Sequence, residues 1–451
     1  MTPTVGVHSA TASTPSQLPR RLGLWTSVAV VMGITIGSGI FKVPSTVAQS
    51  VDSVGAIALL WVLGGVLSLC LALSLAELAS MFPRPGGIVV FLRESYGPVV
   101  AFVFGWTFLI INPASWAGIS LIFAEYLGHF IPLSDGERRA VAATMIALIT
   151  LANYRSVPLA AGVQNIATSA KALALIGLAA VIFGFGKGSE GTLGAPIHFS
   201  VSSWGAFGVA LIGVMFTYEG AAAFCALSGE VRDPARNLPR VLLFGVSLVT
   251  ALYLLVNAAY LYVLPLDAMR NPTSLVAADA MARVAGHSAA SVISALVMLS
   301  TFGAVAATAI ADPRVFYSMA QEGLFFRELG KAHPRFQTPH VAILVAGVLA
   351  IAWVSSRTFE QLTSAFILGL WPFYALAVLG VIILRLRQPG LPRPYRTLGY
   401  PVAPLVFVAS AILVLANSFM EQRTISLINV AISLSGIPVY FIWRAFTRAK
   451  S

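Results

Sequence analysis

Charge is what this sequence has least of. Only 10% of its 451 residues are Asp, Glu, Lys or Arg, and 58% are apolar. A water-soluble domain carries about 25% charged residues. A soluble enzyme or scaffold is thereby excluded, and a polytopic membrane protein takes its place. Cysteine is nearly missing: Cys70 and Cys225 both lie in apolar stretches without metal-ligand spacing, and read as buried small residues. The six histidines are scattered, and no Gly-rich loop ends in Gly-Lys-Ser/Thr. Nothing in the chain suits hydrolysis, a metal, a nucleotide or another cofactor, so neither an enzyme nor an ATP-driven pump is expected. No loop is long enough to fold as a domain. Residues 1–21 are rich in Ser, Thr and Pro and have no apolar core, which argues against a cleaved signal and for a disordered cytoplasmic tail.

What is present is a series of apolar runs. Crossing a bilayer as a helix takes about 20 apolar residues. Twelve such runs are read, at approximately 24–47, 55–80, 97–130, 138–153, 158–185, 204–228, 239–265, 288–320, 338–356, 361–386, 399–419 and 425–446. The 265–287 connection has room for a short surface helix. The net charge of +11 would suggest nucleic acid in a soluble chain, but here the basic residues punctuate the apolar runs. With the N-terminus inside, 18 of the 28 Lys and Arg fall in cytoplasmic loops and tails and 7 on the opposite side. The remaining three, Lys42, Lys171 and Arg314, lie within or at the ends of runs. That bias places both termini in the cytoplasm. A single transmembrane domain is expected over 22–447.

Two runs are interrupted. Gly33–Phe41 reads Gly-Ile-Thr-Ile-Gly-Ser-Gly-Ile-Phe in the middle of the first, a poor recipe for a continuous helix. Thr217-Tyr218-Glu219-Gly220 interrupts the sixth, 180 residues later. An odd number of runs separates equivalent points, so the second block enters the membrane from the other side. Matching breaks in oppositely oriented halves indicate an inverted-repeat transporter with a site at the midplane. The repeats are expected over about 22–187 and 203–387, with two extra helices over 399–446.

Each break frees backbone groups that lipid cannot satisfy. A half-helix starting after Gly37 would aim amides and a positive dipole end at the membrane centre, a ready anion site. The amides of Ser38 and Gly39 and the Ser38 hydroxyl suit a carboxylate, and carbonyls near Thr35 suit an ammonium. The same Gly-Ser-Gly also fits close helix packing. In the second break Phe216 is an aromatic gate or ordinary packing. Glu219 is a proton carrier or a satisfied structural acid. The candidate substrate-binding residues are Thr35, Ile36, Gly37, Ser38, Gly39, Ile40, Phe216, Thr217, Tyr218, Glu219 and Gly220. Lys171 shares a helical face with Gln164 and Thr168 by i, i+4, i+7 spacing. An ammonium there can hold freed carbonyls as a bound sodium ion would, or make a purely structural contact. Asp312 and Arg314 flank Pro313 and are read as a structural or gating pair.

These residues resemble the amino acid–polyamine–organocation superfamily of transporters, most nearly its L-type amino acid transporter branch. The resemblance runs from residue 20 to about 446. It is carried by Gly37-Ser-Gly-Ile-Phe41, Pro83-Arg-Pro-Gly-Gly87, Pro113-Ala-Ser-Trp-Ala117 with Tyr126-Leu127, Lys171 and Phe216-Thr-Tyr-Glu-Gly220. Glu230 through Asn237-Leu-Pro-Arg240, Arg314 with Met319-Ala320, Trp371 with Tyr374, and Arg393-Pro-Tyr-Arg396 complete it. The chain departs from the pattern at Glu219, at Ala221-Ala222 and at Gln321. The resemblance implies an all-α fold of twelve transmembrane helices, a five-plus-five repeat with discontinuous helices 1 and 6, and alternating access. It implies an amino acid whose carboxylate meets Ser38 and Gly39 and whose α-ammonium meets carbonyls of Thr35, Phe216 and Tyr218–Glu219. Lys171 matches a lysine at the sodium-equivalent position of sodium-independent members.

The expected protein is a plasma-membrane carrier of neutral amino acids, working as an exchanger or with protons. A cationic amino acid or polyamine carrier and a non-transporting nutrient sensor are the alternatives. Partners are the amino acid, the lipid bilayer and protons; no nucleic acid and no obligatory protein partner is implied.

Overall fold

A computed structural model describes the backbone of residues 20, 22–155, 159–188, 203–272, 275–336 and 338–448, and the side chains of these except 159–170 and 448. The described chain is helical apart from a single parallel bridge between Leu22 and Val231. In order, the helices are α1 (Leu24–Thr35), α2 (Gly39–Ser50), α3 (Val54–Met81), α4 (Ile88–Tyr96), α5 (Pro98–Ile111), α6 (Pro113–Leu127), α7 (Asp135–Tyr154), α8 (Leu159–Phe185) and α9 (Trp204–Thr217). There follow α10 (Ala221–Cys225), α11 (Pro234–Val263), α12 (Leu266–Arg270), α13 (Val276–Gln321), α14 (His340–Ser356), α15 (Phe359–Arg387), α16 (Val402–Glu421) and α17 (Arg423–Arg448).

Each of the twelve apolar runs coincides with a helix or a helix pair. Among the described residues, eight helical stretches are long and apolar enough to cross a membrane, and the bent pair α1 and α2 makes a ninth. Residues 171–185 of α8 and all of α14 are apolar but shorter. The tail up to residue 19 and the side chains of Gln164 and Thr168 lie outside the described residues.

Side-chain caps start several of these helices. Ser53 accepts from the Ala56 amide and Ser203 from the Ala206 amide, while Ser134 with Glu137 and Thr358 with Gln361 form capping boxes. The 265–287 connection holds the short helix α12, as its length allows. Within α13 the helix is broken by a kink at Gly286, whose non-helical φ of +82° glycine adopts without strain, and its second part forms the eighth apolar run. Two further connections differ from simple loops: residues 88–96 form α4, and the charged stretch from Ser228 is a 3₁₀ turn followed by the start of α11.

Near the ends of α3 and α15 a charged network ties elements together. Arg385 reaches Glu77 through two hydrogen bonds of 2.9 and 2.7 Å, and Thr397 donates to the same carboxylate from its amide and its hydroxyl, each at 2.7 Å. The stretch between α15 and α16 is thereby fixed to α3. The centre of the bundle is left to α1, α2, α9, α11 and α13, which pack on one another around the two breaks.

Candidate functional site

Both interrupted runs break where the glycines are. α1 stops at Thr35, α2 begins at Gly39, and the two axes bend by 45°. Between them the Gly37 amide turns back onto the Thr35 carbonyl at 2.7 Å. The amides of Ser38, Gly39 and Ile40 donate to no acceptor among the described residues, as the first turn of a helix dictates. Ser38 is 1% exposed and its hydroxyl has no hydrogen-bond partner. Ile36 and Ile40 are buried in the core, so only their backbones are available to a ligand.

The second break is gentler. α9 ends at Thr217 and α10 begins at Ala221, and together they still count as a single span. The Glu219 amide bonds the Phe216 carbonyl at 3.3 Å, and the carbonyls of Tyr218 and Glu219 accept nothing among the described residues. Phe216 is half-buried, edge-on to Phe359 and Phe366. The Tyr218 ring turns away from the break: its hydroxyl donates to the Trp61 carbonyl at 3.0 Å and its ring packs on Trp61 and Tyr253.

The two breaks lie against each other through reciprocal contacts. A Cβ on Gly39 would fall on the Thr217 hydroxyl, and one on Gly220 would fall on the Thr35 hydroxyl. Each threonine is turned onto its own helix, Thr35 to the Val31 carbonyl at 2.8 Å and Thr217 to the Gly213 carbonyl at 3.0 Å. Across this contact stands Tyr253 of α11, fully buried. Its hydroxyl is 2.9 Å from the Thr35 carbonyl and 3.1 Å from the Thr217 carbonyl, so one proton serves the loose end of both half-helices. Sequence reasoning passed over Tyr253. A tyrosine within an apolar run carries no spacing signal, and only the fold shows what its hydroxyl reaches.

Two carboxyls within the bundle are partly exposed, Glu219 in the second break and Asp312 on α13. Glu219 accepts from the Tyr374 hydroxyl at 3.3 Å and has no ion-pair partner among the described residues. Asp312 corrects an expectation. It does not pair with Arg314, which is exposed. Instead its Oδ2 accepts from Asn112 Nδ2 at 2.5 Å and from Trp116 Nε1 at 2.8 Å. Residues two apart on a helix point about 200° from one another, so Asp312 faces inward as Arg314 faces out. Lys171 is 4% exposed on α8, and α8 packs on α1, α11 and α13.

The family model for amino acid permeases matches residues 22–443, nearly the whole chain. This chain belongs to that family. Its relatives agree along most of their length. The serine/threonine exchanger SteT of Bacillus subtilis is 31% identical over 433 residues, covering 94% of this chain and 97% of that protein. The human b(0,+)-type amino acid transporter 1 is 32% identical over 441 residues, covering 95% and 88%. The rabbit large neutral amino acids transporter small subunit 2 is 31% identical over 441 residues, covering 94% and 80%. The resemblance read from the broken first and sixth runs is thus borne out, and the permease is a multi-pass membrane transporter of amino acids rather than an enzyme. In this permease the matched region contains both breaks, Tyr253, Glu219 and Asp312.

Proposed function

We propose that this permease is a sodium-independent secondary transporter of neutral L-amino acids, exchanging them across the plasma membrane by alternating access. The observation that carries the reading is the meeting of the two breaks. On one side are the unpartnered amides of Ser38, Gly39 and Ile40 with the unpartnered Ser38 hydroxyl, which suit a carboxylate. On the other are the unoccupied carbonyls of Tyr218 and Glu219, which suit an α-ammonium. The Thr35 carbonyl already accepts from Gly37 and Tyr253, so Tyr218 and Glu219 supply most of the ammonium site.

The wider architecture is proposed with it: twelve spans, a five-plus-five inverted repeat, two further helices and both termini in the cytoplasm, as the Lys and Arg distribution favours. Lys171 stands in for a sodium ion as a fixed cation on a helix packed against α1. The first halves of the two broken spans, α1 and α9, rock or bend about their breaks, and Phe216 closes over the bound zwitterion. Exchange is favoured over uniport by likeness to a named serine/threonine exchanger.

A second reading has its own support. Glu219 holds a carboxyl with one hydroxyl partner inside the bundle, which suits a proton carried with the substrate. Uptake of labelled Ala into proteoliposomes tests both, with Leu, Arg and putrescine as competitors. The expected result is saturable uptake without sodium, displaced best by neutral amino acids and accelerated by amino acid inside the vesicle. Acceleration by an inward proton gradient into empty vesicles selects proton coupling instead. Winning competition by Arg or putrescine overturns the neutral assignment, and binding without flux makes the chain a sensor.

A further inference from the structure

We infer that Arg270 is a positioning residue for substrate: from α12 it grips the far end of α2 and so aims the amides that α2 presents at the first break. The inference rests on the carboxylate site proposed above and adds the group that orients it.

α2 has little stiffness of its own. It is 12 residues long, a length marginal for an isolated helix, and Pro44 within it lacks an N–H for the intrahelical ladder. Its free amides, those of Ser38, Gly39 and Ile40, stand at the end beside the break. Just beyond them α2 is attached to α6, through the Tyr126 hydroxyl on the Phe41 carbonyl at 3.3 Å and through Lys42 on Glu125 at 3.0 Å. These attachments sit on adjacent residues. They fix one point on the helix and leave its tilt open.

Arg270 supplies the second point. Its Nε donates to the Ala48 carbonyl at 3.0 Å and its Nη2 to the Val51 carbonyl at 3.2 Å, in the last turn of α2 and at the residue after it. The same Nη2 is 3.3 Å from Asp52, and Nη1 is 3.5 Å from Asp267. In return Gln49 Nε2 donates to the Arg270 carbonyl at 2.7 Å. Carbonyls at a helix end lack intrahelical partners, and a planar guanidinium offers several donors in one fixed fork. Arg270 and Gln49 thus interlock α12 with α2. α12 follows closely on α11, whose Tyr253 hydroxyl holds the Thr35 carbonyl at the end of α1. One stretch of chain therefore grips both halves of the first broken span at their C-terminal ends.

Without Arg270, α2 is free to tilt about Phe41 and Lys42. Tilting turns the amides of Ser38, Gly39 and Ile40 away from a carboxylate, and hydrogen bonds weaken steeply as they leave the line of donor and acceptor. Bonds from amides to an ionised carboxylate are among the strong ones, so the loss falls on ligands that carry that group.

Competition against labelled Ala in proteoliposomes separates this role from a general structural one. Unlabelled Ala is compared with alaninol, in which CH2OH replaces the carboxylate. The inhibition constant of alaninol divided by that of Ala measures the preference for a carboxylate. Arg270→Ala is expected to lower this ratio about fivefold, chiefly by weakening Ala. Arg270→Lys keeps the charge but not the fork, and should restore part of the ratio. Gln49→Ala should lower it by a smaller factor. Gln49 is exposed and its loss leaves the guanidinium in place, so this variant reads the contact even where Arg270→Ala fails to fold. A wild-type ratio in Arg270→Ala, or in Gln49→Ala where only that variant folds, overturns the inference. So does an equal weakening of Ala and alaninol, the mark of a merely structural residue. Failure of the underlying reading looks different: alaninol then competes as well as Ala with the wild-type protein, which removes the carboxylate site itself and the inference with it.

Discussion

Glu77 and Glu219 are both acids on membrane-compatible helices, and the fold surrounds them in opposite ways. Glu77 is 1% exposed and saturated: two bonds from Arg385, two from Thr397, and Arg393 Nε at 3.6 Å. The Arg385 guanidinium also lies 3.8 Å over the Tyr400 ring. Glu219 is partly exposed and has a single side-chain partner among the described residues, the Tyr374 hydroxyl at 3.3 Å. Both lie in apolar helical spans, so position in a span alone does not distinguish a structural acid from a working one. Unfilled acceptor capacity does, because an ionisable group kept short of partners inside a membrane protein is retained only where something else binds it.

The largest expected effect breaks the saturated case. Glu77→Ala leaves Arg385 and Arg393 facing each other without their anion and removes the tether on the stretch before α16. A loss of about 3 kcal/mol is expected, since removing one partner of a buried pair strands the other. It should appear as a lowered unfolding midpoint of the purified protein in detergent. Glu219→Gln should move that midpoint by a small fraction of the same amount. Equal losses in the two variants would erase the distinction drawn here.

Next in size are losses confined to transport. Ser38→Leu fills the space beside the free amides of the first break, and uptake should be abolished with the fold intact. Wild-type kinetics in that variant would remove the carboxylate site from α2. Glu219→Gln should flatten the pH profile of uptake if Glu219 moves the coupled proton; an unchanged profile assigns coupling to another group. Lys171→Ala should raise the apparent substrate KM or slow turnover without lowering the unfolding midpoint, as expected of a cation that holds carbonyls and not of one half of a buried pair.

The contrast also shows what a sequence can carry. The breaks at Gly37-Ser38-Gly39 and at Gly220 were legible because helix interruption is a local backbone property, written in residues that are poor helix formers. So was the depth of Lys171, since charge inside an apolar run is visible without a fold. The partners of the acids were not legible. Glu77 meets Arg385 308 residues away, and Asp312 meets Asn112 across 200. Sequence proximity offered Arg314 instead, on the opposite side of the helix. Tyr253 was hidden for the same reason: its hydroxyl matters through two carbonyls on distant segments. Local conformation is encoded locally; satisfaction of polar groups is settled by packing.

The smallest expected effect belongs to an intermediate pair. Lys42, four residues into α2, meets Glu125 of α6 at 3.0 Å, and the two side chains are 22% and 20% exposed. Their neighbourhood is held by other bonds as well. The Tyr126 hydroxyl donates to the Phe41 carbonyl at 3.3 Å, and Arg270 of α12 donates to the carbonyls of Ala48 and Val51 at the end of α2. Partial exposure keeps both charges hydrated when the partner is lost, unlike the groups around Glu77. Lys42→Gln is therefore expected to lower stability by no more than about 1 kcal/mol. The loss should shrink further as salt is raised in the unfolding experiment, since an accessible pair is screened. A salt-independent loss as large as that of Glu77→Ala would mean that the second half of the broken helix depends on this single contact, and that accessibility is the wrong measure for ranking these acids.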